Sequence, residues 1–163
     1  MRTVQPPLFT PETEWVMPDE LKDLTQYSEI AVDLETYDPQ LKELGSGNVV
    51  GKGHIAGVAL AVEGWSGYFP IGHDHGGNMD KDLVLMWLKD LFRRSDKTFI
   101  FHNAMYDVCW LRAAGLEIKG KIVDTMIAAS LINENRLSYG LNSLAKEYVG
   151  KGKDEKVLQA AAK

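Results

Sequence analysis

The chain has 163 residues, of which 45% are hydrophobic and 25% charged, and its formal net charge is −5. This balance fits one soluble globular domain, and no apolar run is long enough to cross a membrane. The negative charge argues against a protein that grips duplex DNA through bulk positive charge. An enzyme that meets phosphates through metal ions remains open, because carboxylates then hold the cations. Cys109 is the only cysteine, which excludes a disulfide framework and makes a cytoplasmic setting the default expectation.

The predicted elements begin after an extended, proline-containing lead-in over residues 1–17. The strand-rich first half and the alternating elements that follow predict an α/β fold, with a mixed central sheet flanked by helices, over residues 18–163. In chain order we expect a short helix at 18–26, a strand at 29–34, a loop at 37–53, strands at 54–62 and 68–71, a helix at 80–93, a strand at 98–101, a helix at 104–114, an extended segment at 117–123, a helix at 124–132 and a last helix from about 141 to 149.

Two carboxylates share one face of the first predicted strand. Side chains alternate between the faces of a strand, so Ile30, Val32 and Leu34 point one way while Asp33 and Glu35 point the other. The two acids would lie roughly 7 Å apart, where like charges are unfavourable without a cation or a proton between them. A solvated acidic edge strand is the alternative. The apolar residues leading into the acids instead favour the rim of a sheet, where α/β proteins build sites.

A third acid stands at the start of a predicted helix. The short strand at 98–101 delivers the chain to this helix, with Asn103 as its expected N-cap. Asp107 follows four residues later, in or near the first turn, where the helix dipole favours an anion. Capping and the dipole explain this pattern when it stands alone. Combined with the acidic strand, it predicts that three carboxylates converge on magnesium ions that assist attack of water on a phosphodiester.

Other polar residues are interpreted without a catalytic role. His73, Asp74 and His75 resemble a metal cluster, but adjacent residues in an extended chain point apart, so a loop role is favoured. Asp124 is expected to cap the helix that follows it rather than to bind a metal. The lysines of the C-terminal tail are expected to form a solvated charged segment.

Together these segments resemble the DEDD 3′–5′ exonucleases, specifically the proofreading domain of family A, DNA polymerase I-like enzymes, including phage ones. The run from Asp33 to Thr36 is similar to the first motif of that family. The run from Phe101 to Val108, with Asn103 and the pair Tyr106-Asp107, is similar to the second. The segments at 123–126 and 139–145 resemble the stretch between the second and third motifs.

The resemblance implies a ribonuclease H-like fold and hydrolysis with two divalent cations, Mg²⁺ or Mn²⁺. It implies that Asp33 bridges both ions, that Glu35 binds the first ion and orients the attacking water, and that Asp107 holds the second. The implied reaction is the removal of 3′-terminal nucleotides from single-stranded or frayed DNA, as the proofreading part of a polymerase.

The resemblance also implies how the substrate is held and what accompanies the domain. Thr36 and Asn103 would help to seat the 3′-terminal nucleotide, and Leu41, in the loop after the first motif, is assigned as a wedge against the last base. The implied partners are the 3′ end of single-stranded DNA and the polymerase domain of a full-length protein.

The sequence departs from that family at its last motif. The family has a fourth Asp, preceded by Tyr four residues earlier or His five earlier, and no Tyr-x-x-x-Asp occurs in the chain. His102 and Asp107 match the His spacing, which we interpret as coincidence because no second motif then lies between Glu35 and His102. Asp154 could serve only if the tail folds back over the sheet. We therefore expect a domain truncated at its C-terminus that binds metal weakly and cleaves poorly on its own.

Two other functions remain open. A stand-alone ribonuclease of the RNase D type would share Asp33, Glu35 and Asp107. A non-catalytic domain could keep the fold for single-strand binding, and the missing fourth acid would then be a true loss.

Overall fold

The computed structural model describes residues 15–74 and 77–152. They fall into two compact units, a larger one at 17–139 and a smaller one to which residues 15–16 and 140–152 belong. The expectations for residues 1–14, for His75 and for the tail from residue 153, including Asp154, lie outside the described residues.

The larger unit is built on a mixed sheet. Its five strands, among the described residues, are β1 (Glu29–Tyr37), β2 (His54–Val62), β3 (Trp65–Pro70), β4 (Thr98–Phe101) and β5 (Lys121–Asp124). They lie in the order β3-β2-β1-β4-β5. β1 runs antiparallel to β2 and parallel to β4. On the two outer sides, β2 runs antiparallel to β3 and β4 runs parallel to β5. The predicted mixed sheet is confirmed.

The helices follow the predicted order from β3 onwards. The larger unit contains α1 (Leu41–Leu44), α2 (Gly47–Val50), α3 (Lys81–Phe92), α4 (Ala104–Ala113) and α5 (Thr125–Ile132), and the smaller unit contains α6 (Leu141–Tyr148). Asp80 starts α3 by accepting a hydrogen bond from the Leu83 N–H at 2.9 Å. Among the described residues, no helix combines the length and the apolar character that crossing a membrane requires.

The core of the larger unit is one apolar cluster that joins the sheet to α3 and α4. Alternate residues of β1 are buried, which places one face of this strand in the core and the other outside. Phe92 of α3 meets Phe99 of β4 edge to face, with ring centroids 5.0 Å apart, a favourable arrangement for aromatic rings. The buried aliphatic residues of α3 are Val84, Leu88 and Leu91, and the buried apolar residues of α4 are Ala104, Trp110 and Leu111.

The predicted helix at residues 18–26 is wrong, because the segment is irregular throughout. Asp23 Oδ1 accepts a hydrogen bond from the Thr25 N–H at 2.9 Å, a local turn that competes with helix formation. The buried Lys97 Nζ donates to the carbonyls of Thr25 at 2.8 Å and Tyr27 at 2.6 Å. These carbonyls are therefore held by a side chain about seventy residues away instead of by a helical turn.

The segment from 37 to 53 also differs from the predicted loop. β1 extends to Tyr37, and α1 and α2 follow within the segment. Asp38 Oδ2 accepts from the Gly47 N–H at 3.1 Å. A Cβ at Gly47 would collide with the backbone of Lys52, so the close turn requires glycine here. The folded segment stands directly after the acidic end of β1.

Candidate active site at the acidic end of β1

The two acids of β1 lie on its outward face, as predicted from the alternation. Asp33 and Glu35 are exposed on either side of the buried Leu34. β2 places only small residues beside them, because Asp33 pairs with Ala59 and Glu35 pairs with Gly57. The neighbour of Asp33 on β2 therefore adds only a methyl group, whereas the Tyr68 phenol lies over Gly57 beside Glu35.

Asp107 reaches the edge of β1 from the first turn of α4. β1 pairs with β4 only as far as Ala31, so the backbone beyond that residue is not covered by β4. The Leu34 N–H donates to Asp107 Oδ1 at 3.2 Å. The helix acid thus contacts the strand at the residue between Asp33 and Glu35, in the crevice where the parallel strands β1 and β4 end.

The carboxyl group of Asp107 is poorly solvated and lies near another negative charge. Asp107 is 4% exposed. Burial, followed by the charge of Asp33, raises the pKa of Asp107 to about 7 from an ordinary value of 3.8, against the opposing hydrogen bond from Leu34. A buried carboxyl with such a pKa is typical of functional sites. A divalent cation would favour the ionised form that burial disfavours.

The three acids are brought together unequally. Asp33 is close enough to Asp107 for its charge to act on that carboxyl, whereas the charge of Glu35 acts on Tyr68. Among the described residues, no three His, Cys, Asp or Glu side chains form a ready-made metal centre. The oxygen donors nevertheless fit the hard cations Mg²⁺ and Mn²⁺, which take carboxylates and retain water.

The start of α4 is capped from a distance. Asn103 occupies the cap position in the left-handed conformation (φ 68, ψ 52), and its side chain makes no cap hydrogen bond to a described residue. The Asp124 carboxylate instead accepts from the N–H groups of Asn103 at 3.1 Å and Ala104 at 2.8 Å. The predicted capping role of the Asn103 side chain is therefore wrong, because the left-handed turn directs these two amides to a carboxylate twenty residues further along.

Asp124 serves two helix starts at once. It accepts from the Met126 N–H at 2.8 Å, which confirms the prediction that it caps α5. Burial opposes its ionisation, but the backbone N–H groups outweigh this effect and hold the pKa of Asp124 below its usual range. The carboxylate is thus committed to the backbone, and its negative charge is a smaller contribution to the raised pKa of Asp107.

The His102 side chain makes a structural contact with the start of α5. Its Nδ1 lies 2.9 Å from Thr125 Oγ1, and the Thr125 hydroxyl donates to the Phe101 carbonyl at 3.0 Å. This contact ties the end of β4 to the start of α5. It supports the interpretation that the spacing between His102 and Asp107 is coincidental.

Thr36 is connected to α4 and to the segment after β1. The Tyr106 hydroxyl donates to Asp38 Oδ2 at 3.2 Å, so Thr36 donates to Tyr106 Oη, 2.7 Å away. From the sequence, Tyr106 was recognised only as part of a motif, and Asp38 was not predicted to belong to the site. Leu41 begins α1 just beyond and is 43% exposed, so its side chain is available to a ligand.

Tyr68 belongs to the acidic face, although sequence reasoning did not single it out. The register aligns Tyr68 with Ala59, and Ala59 with Asp33. The Tyr68 hydroxyl is hydrogen-bonded to Nε2 of His73, which was expected to be a loop residue only. The available signal was the alternation of β3, which places Tyr68 on one face but does not show which side chain it meets.

A separate cavity of about 290 Å³ lies among α2, α3 and the end of α4, with Ile55, Leu85 and Trp110 in its lining. None of the three acids lines it. Asp33 and Glu35 stand on an exposed sheet face instead, with the buried Asp107 at the edge of β1, an arrangement suited to a chain end rather than to an enclosed small molecule.

Comparison with known proteins gives a consistent sequence relationship. A family model described as 3′-5′ exonuclease matches residues 9–163. A DNA-directed DNA polymerase of Pseudomonas phage M6 is 37% identical over 172 residues, which cover 99% of this chain and 26% of the phage protein. The chain therefore spans about a quarter of the length of that relative.

Solved structures give the same fold. NrnC of Brucella melitensis with bound Mg²⁺ is similar with a TM-score of 0.59 and 20% identity, over 86% of this chain and 68% of that chain. Escherichia coli RNase D, an exoribonuclease involved in structured RNA processing, is similar with a TM-score of 0.55 and 19% identity, over 79% of this chain and 30% of that chain. The predicted ribonuclease H-like fold is confirmed.

Proposed function

We propose that this chain, which belongs to the 3′-5′ exonuclease family of A-type DNA polymerases, removes nucleotides from the 3′ end of single-stranded or frayed DNA. The reaction takes place at the sheet face that carries Asp33 and Glu35. The chain is a 3′-5′ exonuclease domain of the polymerase I-like kind, and the family is a family of hydrolases. The observation that carries the proposal for these residues is the buried Asp107, held against β1 between two acids and beside the charge of Asp33.

Two divalent cations, Mg²⁺ or Mn²⁺, fit the donors of this site. The family depends on divalent metal. Asp33 would contact both ions, Glu35 the first and Asp107 the second. When bound, the cations supply positive charge that polarises the phosphate and lowers the pKa of water. The raised pKa of Asp107 supports this assignment, because a neighbouring cation offsets the burial that disfavours its ionised form.

Glu35 would orient the attacking water as a hydrogen-bond acceptor, from the exposed end of β1. Thr36 and Asn103 would seat the 3′-terminal nucleotide. Thr36 is suited to this because its contact with Tyr106 fixes its hydroxyl. Asn103 is suited because it is exposed at the turn into α4 and its side chain is not used as the helix cap. Leu41 would lie against the last base from the first residue of α1.

We propose DNA rather than RNA as the substrate, and a polymerase domain as the partner in a longer protein. The support is the phage polymerase, which is 37% identical across 99% of this chain. RNase D, at 19% identity, shares the fold. A stand-alone ribonuclease is the second candidate, and that structural likeness is its support.

The test is nucleotide release from 5′-labelled single-stranded DNA and from RNA of the same sequence, with Mg²⁺ or Mn²⁺, by the full-length protein that carries this domain. Asp33→Ala and Asp107→Ala should each abolish release while thermal unfolding keeps its cooperativity. Asp90→Ala, on the exposed face of α3, is the matched control and should cleave like the wild type. Full activity in either acid variant would refute the assignment, and faster release from RNA would favour the ribonuclease.

A further inference from the structure

Asp38 links the end of β1 to two segments that lie elsewhere in the chain. It follows Tyr37, the last residue of β1. Its Oδ2 accepts a hydrogen bond from the Gly47 N–H at 3.1 Å, at the start of α2, and another from the Tyr106 hydroxyl at 3.2 Å, in the first turn of α4. A single carboxyl oxygen therefore ties α2 and α4 to the chain directly after the acidic end of β1.

Gly47 holds this carboxyl group in place. Gly47 is buried, and a Cβ at this position would collide with the Lys52 carbonyl and stand 2.8 Å from Asp38 Oδ1. Only glycine therefore allows the amide to approach Asp38 so closely. The Gly47 carbonyl is also engaged, because it accepts from the Lys52 N–H at 2.9 Å. The acceptor that Tyr106 uses is thus held by a closed turn of the segment after β1.

The other carboxyl oxygen of Asp38 gains nothing from this arrangement. Oδ1 is shielded from solvent and has no hydrogen-bond partner among the described residues. A buried acceptor without a partner lowers the free energy of unfolding, and such groups are uncommon in folded proteins. Residues that serve a site are often kept at a cost in stability. The orientation of Asp38 is therefore explained by what its Oδ2 holds rather than by the stability of the fold.

The Tyr106 hydroxyl connects Asp38 to Thr36. The Tyr106 ring is placed independently of both, because it packs against the core and meets Trp110 edge to face, with centroids 6.4 Å apart. A phenol has one proton to donate, and here it is directed to Asp38 Oδ2. The Tyr106 oxygen therefore accepts from the Thr36 hydroxyl, 2.7 Å away. Without Asp38 the phenol proton is free to turn towards Thr36, which reverses this bond and frees the threonine to change rotamer.

We infer that Asp38 is a positioning residue for Thr36 and acts on it through the Tyr106 hydroxyl. It fixes the Thr36 side chain in one rotamer, so that the hydroxyl is already oriented when the nucleotide binds. The inference rests on the proposed function, in which Thr36 seats the 3′-terminal nucleotide. It assigns a role to an aspartate in a segment that the sequence predicted to be a loop.

The experiment measures kcat and KM for nucleotide release from 5′-labelled single-stranded DNA, with Mg²⁺, by the full-length protein that carries this domain. Asp38→Ala should raise KM roughly fivefold, the usual effect of losing one hydrogen bond. Its kcat should stay within roughly twofold of the wild-type value, because Thr36 binds the nucleotide and takes no part in breaking the bond. A wild-type KM in Asp38→Ala, or a loss confined to kcat, would overturn the inference.

Asp38→Asn separates the hydrogen bonds of Asp38 from its charge. The amide oxygen can still accept from Gly47 and Tyr106, so KM should stay closer to the wild-type value than it does in Asp38→Ala. A KM as high as that of Asp38→Ala would contradict a role through these hydrogen bonds.

A double-mutant cycle tests whether Asp38 acts through Thr36. Thr36→Val keeps the branched shape of the side chain, removes its hydroxyl and should raise KM by itself. Asp38→Ala should then have no further effect on KM in the Thr36→Val background. Additive effects of the two substitutions would contradict a common route to the nucleotide.

The controls separate failure of the inference from failure of the proposed function. Glu43→Ala, at an exposed position of α1 in the same segment, should keep the wild-type kcat and KM. Thermal unfolding checks that each variant is folded. If the wild type releases no nucleotide, the proposed function and the inference fail together. If the wild type is active and Thr36→Val raises KM while Asp38→Ala does not, only the inference fails.

Discussion

Replacing Asp107 by asparagine should stabilise the metal-free protein at alkaline pH, although it removes a proposed metal ligand. The amide has nearly the shape of the carboxyl group, and its oxygen can still accept the hydrogen bond from the Leu34 N–H. It carries no charge, so it avoids the cost that burial and the charge of Asp33 impose on the ionised carboxylate. The variant therefore separates the charge of Asp107 from its packing.

The magnitude follows from the two pKa values. The folded protein holds the Asp107 proton more tightly, because the pKa rises from 3.8 to about 7 on folding. The stabilisation due to this proton is fully present below about pH 3.8 and is lost as the pH rises through about 7. A difference of about three in pKa corresponds to roughly 4 kcal/mol. Relaxation and water entry reduce it, so we expect Asp107→Asn to gain roughly 2–4 kcal/mol at pH 8.

Urea unfolding in EDTA at pH 8 and at pH 4.5 is the measurement. Taking the difference in the free energy of unfolding between variant and wild type cancels the contribution of the other titrating groups. This difference should be much smaller at pH 4.5 than at pH 8. Asp90→Asn, on an exposed helix face, should show no such difference. Excess Mg²⁺ should stabilise the wild type more than the Asp107→Asn variant, since a ligand that binds only the folded state stabilises it. A variant that is less stable than the wild type in EDTA at pH 8 would refute the reasoning.

Three substitutions test other parts of the fold and the site. Asp124→Ala should lower the free energy of unfolding by roughly 2 kcal/mol, since α4 and α5 both lose the acceptor of their first amides; urea unfolding measures the loss, and an unchanged value would contradict the shared cap. Lys97→Met should cost roughly 2 kcal/mol by the same assay, because two backbone carbonyls lose a buried donor. Leu41→Ala should weaken binding of a 3′-ending oligonucleotide in fluorescence anisotropy while changing stability by less than about 0.5 kcal/mol; unchanged binding would argue against the wedge.

The strands were predictable because their patterns leave few solutions. In β1 the alternation of apolar and acidic residues decides which face is buried, and a one-residue shift would expose the whole apolar set. The bounds predicted for the apolar strands β2 and β4 are also those that the structure shows. Asp107 in the first turn of α4 followed from chain order alone, because β4 leads directly into the helix.

The remaining features depend on contacts between distant residues. The irregular segment at 18–26 reflects the reach of Lys97 into its carbonyls, which local propensity does not contain. The cap of α4 comes from Asp124, beyond the range of any capping pattern within that helix. The neighbourhood of Tyr68 depends on the strand register and on the absence of a side chain at Gly57. Each of these features could be recognised only once the strands were paired.

The shared carboxylate of Asp124 couples the rigidity of two helices that are separate in sequence. A fluctuation that displaces the Asp124 carboxylate releases the first amides of α5 and the two amides at the start of α4 together. Asp107 therefore owes its placement partly to a carboxylate at the start of α5. Destabilising the start of α5 should therefore disturb the position of Asp107 relative to Asp33 and Glu35 before the domain unfolds.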